Sequence, residues 1–218
     1  MGTSRAIRRL QWSRCLSRVA QEGRLRPDQP QLFCVGFHKT GTTSLSSALE
    51  ILGYRAVHGD GRKHWSGGDE GRTFIQQIES GDFNLATLPL FDAFLDNPYF
   101  SIWRQLADAH PDSKFILTER DTESWINSCV RYYHGRPARP MREWMFGAHS
   151  NPSLNPEAKQ TWITAYNRHN RAVRNHFSDS KNFLALDFTK GQGWSELCTF
   201  LGDDVPSNPF PFRNKSTR

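Results

Sequence analysis

The stretch LFCVGFHKTGTTSLSSALEILG, residues 32–53, carries three local signals in a row. Leu32, Phe33, Cys34 and Val35 form a short unbroken apolar run, as expected of a strand buried on both faces. Leu45, Ala48, Leu49 and Leu52 then recur at helical spacing up to Gly53, a suitable helix C-terminus. Between them, Gly36 and Gly41 bracket a turn followed by Thr42, Thr43 and Ser44. Strand, glycine turn and helix start in this order make an anion site. The glycines let backbone N–H groups close on phosphate oxygens, and the helix N-terminus adds the positive end of its dipole.

The turn departs from the nucleoside triphosphatase pattern, in which lysine follows the second glycine and a hydroxyl residue holds magnesium. Thr42 stands in that lysine position, and the nearby lysine is Lys39, approaching from the other end of the turn. No acid follows an apolar strand in a position suited to magnesium, so no metal is expected.

Working outward, short apolar runs alternate with helix-period segments, the pattern of β-α units on a mostly parallel sheet. Strands are expected within Tyr54 to Val57 and Phe83 to Phe94, at Lys114 to Thr118 (KFILT) and at Phe183 to Asp187 (FLALD). Helices are expected around Ile75 and Ile78, over Tyr99 to His110, from Asp121 or Thr122 through Val130, from Asn155-Pro156 through Phe177, and over Trp194 to Leu201. His58 to Gly71 and Arg131 to Pro140 read as loops, the second a basic loop or lid. The fold class is therefore α/β, three-layer, with a mostly parallel central sheet of P-loop topology.

At 218 residues the chain suits one domain, residues 31–218, preceded by a basic arm, residues 1–30. The formal charge of +6 resides in that arm. Residues 1–26 hold seven arginines (Arg5, Arg8, Arg9, Arg14, Arg18, Arg24, Arg26) against Glu22, and the remainder has 21 basic and 21 acidic residues. A neutral body argues against a nucleic-acid partner. The arm suits an anionic surface, a transit peptide or a solvated extension equally. No run approaches the eighteen or so apolar residues of a membrane span, so a cytoplasmic protein without a transmembrane anchor is expected. Cys15, Cys34, Cys129 and Cys198 form no C-x-x-C pair and read as reduced packing residues.

The residues resemble the sulfotransferase family, which uses 3′-phosphoadenosine 5′-phosphosulfate as sulfuryl donor and releases adenosine 3′,5′-bisphosphate. Lys39, Thr40, Gly41, Thr42 and Thr43 match the family's 5′-phosphosulfate loop, K-[ST]-G-T-[TS], with Ser44 extending it. Arg120 and Ser128, eight residues apart in KFILTERDTESWINS, match its 3′-phosphate element. DAFLDNP and GWSELCTFLGDDVPSNPFPFRN are similar to the middle and end of one subgroup, so the resemblance runs from about Phe33 to Asn214. It departs at two places. Ser44 stands where phenol and steroid sulfotransferases carry an adenine-stacking tryptophan, and Arg213, Asn214 and Lys215 replace their R-K-G triplet.

The resemblance implies transfer to a hydroxyl or amine of a small-molecule, lipid or carbohydrate acceptor, with Lys39 neutralising charge on the departing phosphate. It also implies a base just before Pro98. Asp96 is the first choice and Asp92 the second, while either suits a helix cap or turn. His38 reads as substrate-facing or solvent-facing. Among Trp125, Tyr132, Tyr133, Trp144 and Phe146, all candidates to line an acceptor pocket, Trp125 has the period of a core residue. A magnesium-dependent P-loop kinase and an inactive nucleotide-binding module remain the alternatives.

Overall fold

The computed structural model describes residues 21–59, 68–83, 88–137, 139–147 and 151–213. Arg5, Arg8, Arg9, Arg14, Arg18 and Cys15 of the arm, and Asn214 and Lys215 of the tail, lie outside the described residues, as does most of the loop expected after His58.

The apolar run at residue 32 forms β1 (Leu32–Cys34), and the glycine turn leads into α1 (Thr42–Ile51). The chain continues through β2 (Ala56–His58), α2 (Gly68–Glu79) and β3 (Ala93–Leu95). A 3-10 turn, Tyr99–Ile102, then leads into α3 (Trp103–Ala109) and β4 (Lys114–Thr118). α4 (Thr122–Tyr133), α5 (Pro140–Phe146) and α6 (Pro156–His176) follow, then β5 (Phe183–Leu186), a 3-10 turn at Phe188–Lys190 and α7 (Trp194–Leu201). Local chemistry sets the ends. The Asp121 carboxylate accepts the Ser124 N–H at 2.8 Å to start α4, and Asn155 accepts that of Ala158 at 2.7 Å ahead of Pro156 in α6.

All five strands pair in parallel, in the order β2-β3-β1-β4-β5. Strand side chains alternate between faces, and the core divides accordingly. Phe33, Phe94, Phe115 and Leu117 pack with Ile78, Trp103, Leu106, Val173 and Phe177, so α2, α3 and α6 cover one face. Leu32, Cys34, Leu95 and Ile116 pack with Leu45, Leu49, Leu197 and Leu201, so α1 and α7 cover the other. This is the three-layer α/β fold expected from the sequence. Two local readings change. Among the described residues of the apolar stretch up to Phe94, the strand is β3, and Leu88 and Phe91 pack into the core from outside it. Pro140 does not end a loop but opens α5, whose Met141 and Phe146 are buried.

β1 and β4 are neighbours whose connections leave in opposite directions, β1 toward β2 at one edge and β4 toward β5 at the other. The crevice at the carboxyl ends of such a pair is where open α/β sheets bind ligands.

Asp92 lies at the other end of β3, which corrects its candidacy as a base. It is fully buried, and its carboxylate accepts four bonds, from Arg24 Nε (3.2 Å) and the backbone N–H groups of Leu25 (3.0 Å), Arg26 (3.0 Å) and Arg55 (2.8 Å). With the bidentate pair of Arg26 and Asp203 (2.8 and 2.5 Å), it seats the last described residues of the arginine arm against the body. Asp92→Ala should therefore lower the unfolding free energy by about 3 kcal/mol or more, since four donors lose their acceptor at once. Urea titration would read this directly, and a loss below about 1 kcal/mol would contradict the clasp.

Candidate active site at the carboxyl ends of the strands

The turn after β1 is shaped by close approaches. A Cβ on Gly36 would lie 2.2 Å from the carbonyl and hydroxyl oxygens of Thr118, so only glycine lets the turn pass the end of β4. Gly41, at φ 102°, caps α1, and a Cβ there would meet the Phe188 ring at 2.5 Å. A relay of hydroxyls ties the turn to the sheet. The Thr40 hydroxyl donates to the Phe37 carbonyl at 2.5 Å and accepts from Thr118 at 2.7 Å, and the Cys34 thiol lies 3.6 Å from Thr118 Oγ1. Thr40 thus spends its hydroxyl on holding the turn.

The N-terminus of α1 carries no side-chain cap and no acid in its first turn. Its N–H groups and dipole face a cleft of about 690 Å³. The cleft brings together Lys39, Thr40, Gly41, Thr42, Thr43, Ser44, Asp96, Arg120 and Ser128, residues spread over ninety positions of sequence. Thr43 is exposed, while Thr42 and Ser44 are buried with defined partners. Thr42 Oγ1 lies 2.9 Å from His58 Nε2, and Ser44 Oγ accepts the Arg213 backbone N–H at 2.9 Å.

Lys39 and Asp96 are the two non-glycine residues described with positive φ, both at 67°. The left-handed region costs energy for residues with a Cβ, and such conformations concentrate at functional sites. Lys39 Nζ stands 4.3 Å from the centroid of the Tyr132 ring, with the Arg136 guanidinium carbon 4.2 Å from the same ring. Asp96 follows β3 and is 6% exposed. Its Oδ1 accepts the Asn97 N–H at 2.7 Å, and Oδ2 lies 3.7 Å from His58 Nε2.

Arg120 leaves the end of β4 with its backbone clamped. The Tyr166 hydroxyl donates to its carbonyl at 2.8 Å and accepts its N–H at 3.0 Å, while Tyr166 stacks on Trp125 at 4.1 Å. The Arg120 Nε is buried with no hydrogen-bond partner among the described residues, and no ion pair to Asp121 or Glu123 is described. Asp121 is instead occupied as the α4 cap, and its bond with Ser124 holds its carboxyl below the usual range.

Of the five aromatic residues considered for an acceptor wall, Tyr132 and Tyr133 line the cleft. Trp125 and Phe146 are core, and Trp144 is on the surface. His38 lines the cleft but is buried among Phe100, Trp125, Tyr133, Phe146 and Trp162. Burial first, then the charges of Lys39 and Arg142, push its pKa down to about 3, so its imidazole is neutral.

Several lining residues went unidentified in the sequence: His58, Arg136, Arg139, Arg142, Phe188, Thr189 and Phe212. One signal was available. In a parallel sheet the carboxyl ends of all strands share one edge, so residues just after β2 and β5 belong beside the turn after β1. That rule finds His58 and Phe188. Nothing local marks Arg142 or Phe212. Charge in the cleft is one-sided, with Lys39, Arg120, Arg136, Arg139, Arg142 and Arg213 facing Asp96 as the single carboxylate among the described lining residues. Also among the described residues, no group of three His, Cys, Asp or Glu is placed to hold a metal ion, and no helix is long and apolar enough to cross a membrane.

Comparison with known proteins adds two findings. Residues 31–218 match the family described as the sulfotransferase domain. The chain is also 24% identical over 213 residues to the protein named Ava biosynthesis cluster protein M, from Aspergillus versicolor, covering 83% of this chain and 79% of that relative.

Proposed function

This chain belongs to the sulfotransferase domain family, and we propose that it moves the sulfuryl group of 3′-phosphoadenosine 5′-phosphosulfate to a hydroxyl or amine on a small acceptor. The observation that carries this reading is the convergence of two anion-binding elements, 77 residues apart at their nearest members Thr43 and Arg120, on one cleft. The residues suit the donor. The uncapped α1 N-terminus, Lys39 and the hydroxyls of Thr42 and Thr43 would hold its phosphosulfate end, and Arg120, with its unpartnered Nε, and Ser128 its 3′-phosphate. Phe188 and Phe212 offer rings beside the turn, in place of the family's tryptophan, to flank the adenine.

In the transfer, the acceptor's O–H proton passes to the Asp96 carboxylate as its oxygen forms a bond to sulfur. The bond from sulfur to the bridging oxygen breaks, and the electron pair stays on the 5′-phosphate, where the Lys39 ammonium and the loop N–H groups neutralise it. His58, held between Thr42 and Asp96, positions the carboxylate next to the turn. The aliphatic and aromatic lining suits a small molecule, in keeping with a relative whose name places it in a biosynthesis cluster.

Thermal-shift measurement tests the donor reading. Adenosine 3′,5′-bisphosphate at about a hundred times its Kd should stabilise the protein by about 2.7 kcal/mol, while ATP with magnesium should give much less. Equal or greater stabilisation by ATP with magnesium would transfer the reading to a P-loop kinase.

A further inference from the structure

Arg142, in the first turn of α5, is not used by the donor scheme. It lines the cleft and is only 7% exposed. Its guanidinium carbon sits 4.8 Å from the centroid of the Tyr133 ring, which fixes the orientation of the plane. Nε and Nη2 are buried without a hydrogen-bond partner among the described residues. These two nitrogens share one edge of the guanidinium, and their N–H bonds run nearly parallel, the arrangement that receives both oxygens of a carboxylate.

Leaving two cationic donors unpaired in a buried place is costly, and such groups are retained where something else supplies the acceptor. None of the described residues does. Burial lowers the pKa of Arg142, against the weaker favourable influence of Tyr133 and Glu143, and no described ion pair includes it. The neighbouring His38 is neutral. Arg142, Asp96 and Tyr133 line the same cleft. The donor scheme uses Gly41 and Thr43 of the turn, Arg120 after β4 and Ser128 within α4.

Resting on the sulfotransferase reading above, we infer that the acceptor is a hydroxy acid with an apolar or aromatic body. Its carboxylate is received by the Nε–Nη2 edge of Arg142, and its hydroxyl is presented to Asp96. The charge of the cleft fits this assignment. The donor scheme employs Lys39 and Arg120, and further cations of the cleft remain to meet an acceptor's own negative charge.

Calorimetric titration of the full chain, with and without adenosine 3′,5′-bisphosphate, would use a panel of hydroxyaryl alkanoates and their primary amides as probes. Each amide keeps the body and hydroxyl and removes the charge. The acids should bind about tenfold or more tightly than the amides, Arg142→Gln should abolish that difference, and Arg142→Lys should keep part of it. The proposal is overturned if acid and amide bind alike, if no acid binds, or if the preference survives in Arg142→Gln. Bisphosphate titrated alone decides the donor reading separately. Should it fail to bind, that reading falls, while the acid-amide difference without nucleotide still reports on Arg142. The wild-type comparison does not depend on either variant folding.

Discussion

Replacing Lys39 by alanine is expected to lower the sulfuryl-transfer rate constant by about 10²- to 10³-fold, the cost of removing one donor aimed at developing charge. The protein should remain folded. Lys39 is half-buried, its described ring contact is with Tyr132, and alanine keeps the Cβ, so the positive φ is neither relieved nor worsened. Loss of that contact costs about 0.5–1 kcal/mol at an exposed site. Affinity for adenosine 3′,5′-bisphosphate should change by less than about tenfold, because Arg120, Ser128 and the helix N-terminus remain. Single-turnover kinetics with labelled donor separates these effects. A rate constant within threefold of wild type would remove Lys39 from the mechanism, whereas a matching loss of bisphosphate affinity would make it a ground-state binding residue.

Asp96→Asn should reduce the rate constant by about 10²- to 10⁴-fold, the usual contribution of a positioned general base. Asparagine is close to isosteric, is among the residues that tolerate the left-handed region, and can still accept the Asn97 N–H. What it loses is the capacity to take a proton. A carboxylate base is inactive when protonated, so the wild-type rate should fall on the acid side of its profile. In Asp96→Asn that acid limb should disappear along with the activity it controlled. Retention of the limb in the variant would show that another group titrates there. Bisphosphate binding should be unaffected by Asp96→Asn, which distinguishes a damaged turn from a missing base.

The two aspartates illustrate how far a linear reading reaches. Asp92 and Asp96 stand four residues apart in one apolar stretch, each beside turn-forming residues, and neither periodicity nor composition separates them. β3 lies between them, and an extended chain rises about 3.3 Å per residue, so the two residues stand at opposite ends of the strand, their backbones about 13 Å apart along it. At one end Asp92 meets Arg24 and three backbone N–H groups from distant segments, at the other Asp96 enters the cleft. The difference was absent from the sequence because every partner of Asp92 comes from 37 to 68 positions away. α5 was missed for a related reason. Its seven residues are too short a window to display a helical period, and packing of Met141 and Phe146 against other elements gives it its place.

The sequence by itself determined the strand-turn-helix at residues 32–53, the capped starts of α4 and α6, and the α/β class. Those features depend on backbone sterics, caps and side-chain period within one or two turns of chain. Only the tertiary structure decided which aspartate faces the cleft, which aromatic rings are walls rather than core, and that Arg142 ends buried with an open guanidinium edge in the cleft that Asp96 also lines. The parallel order β2-β3-β1-β4-β5 is what gathers these residues at one edge of the sheet, and that order arises from long-range burial of two apolar faces rather than from any local preference.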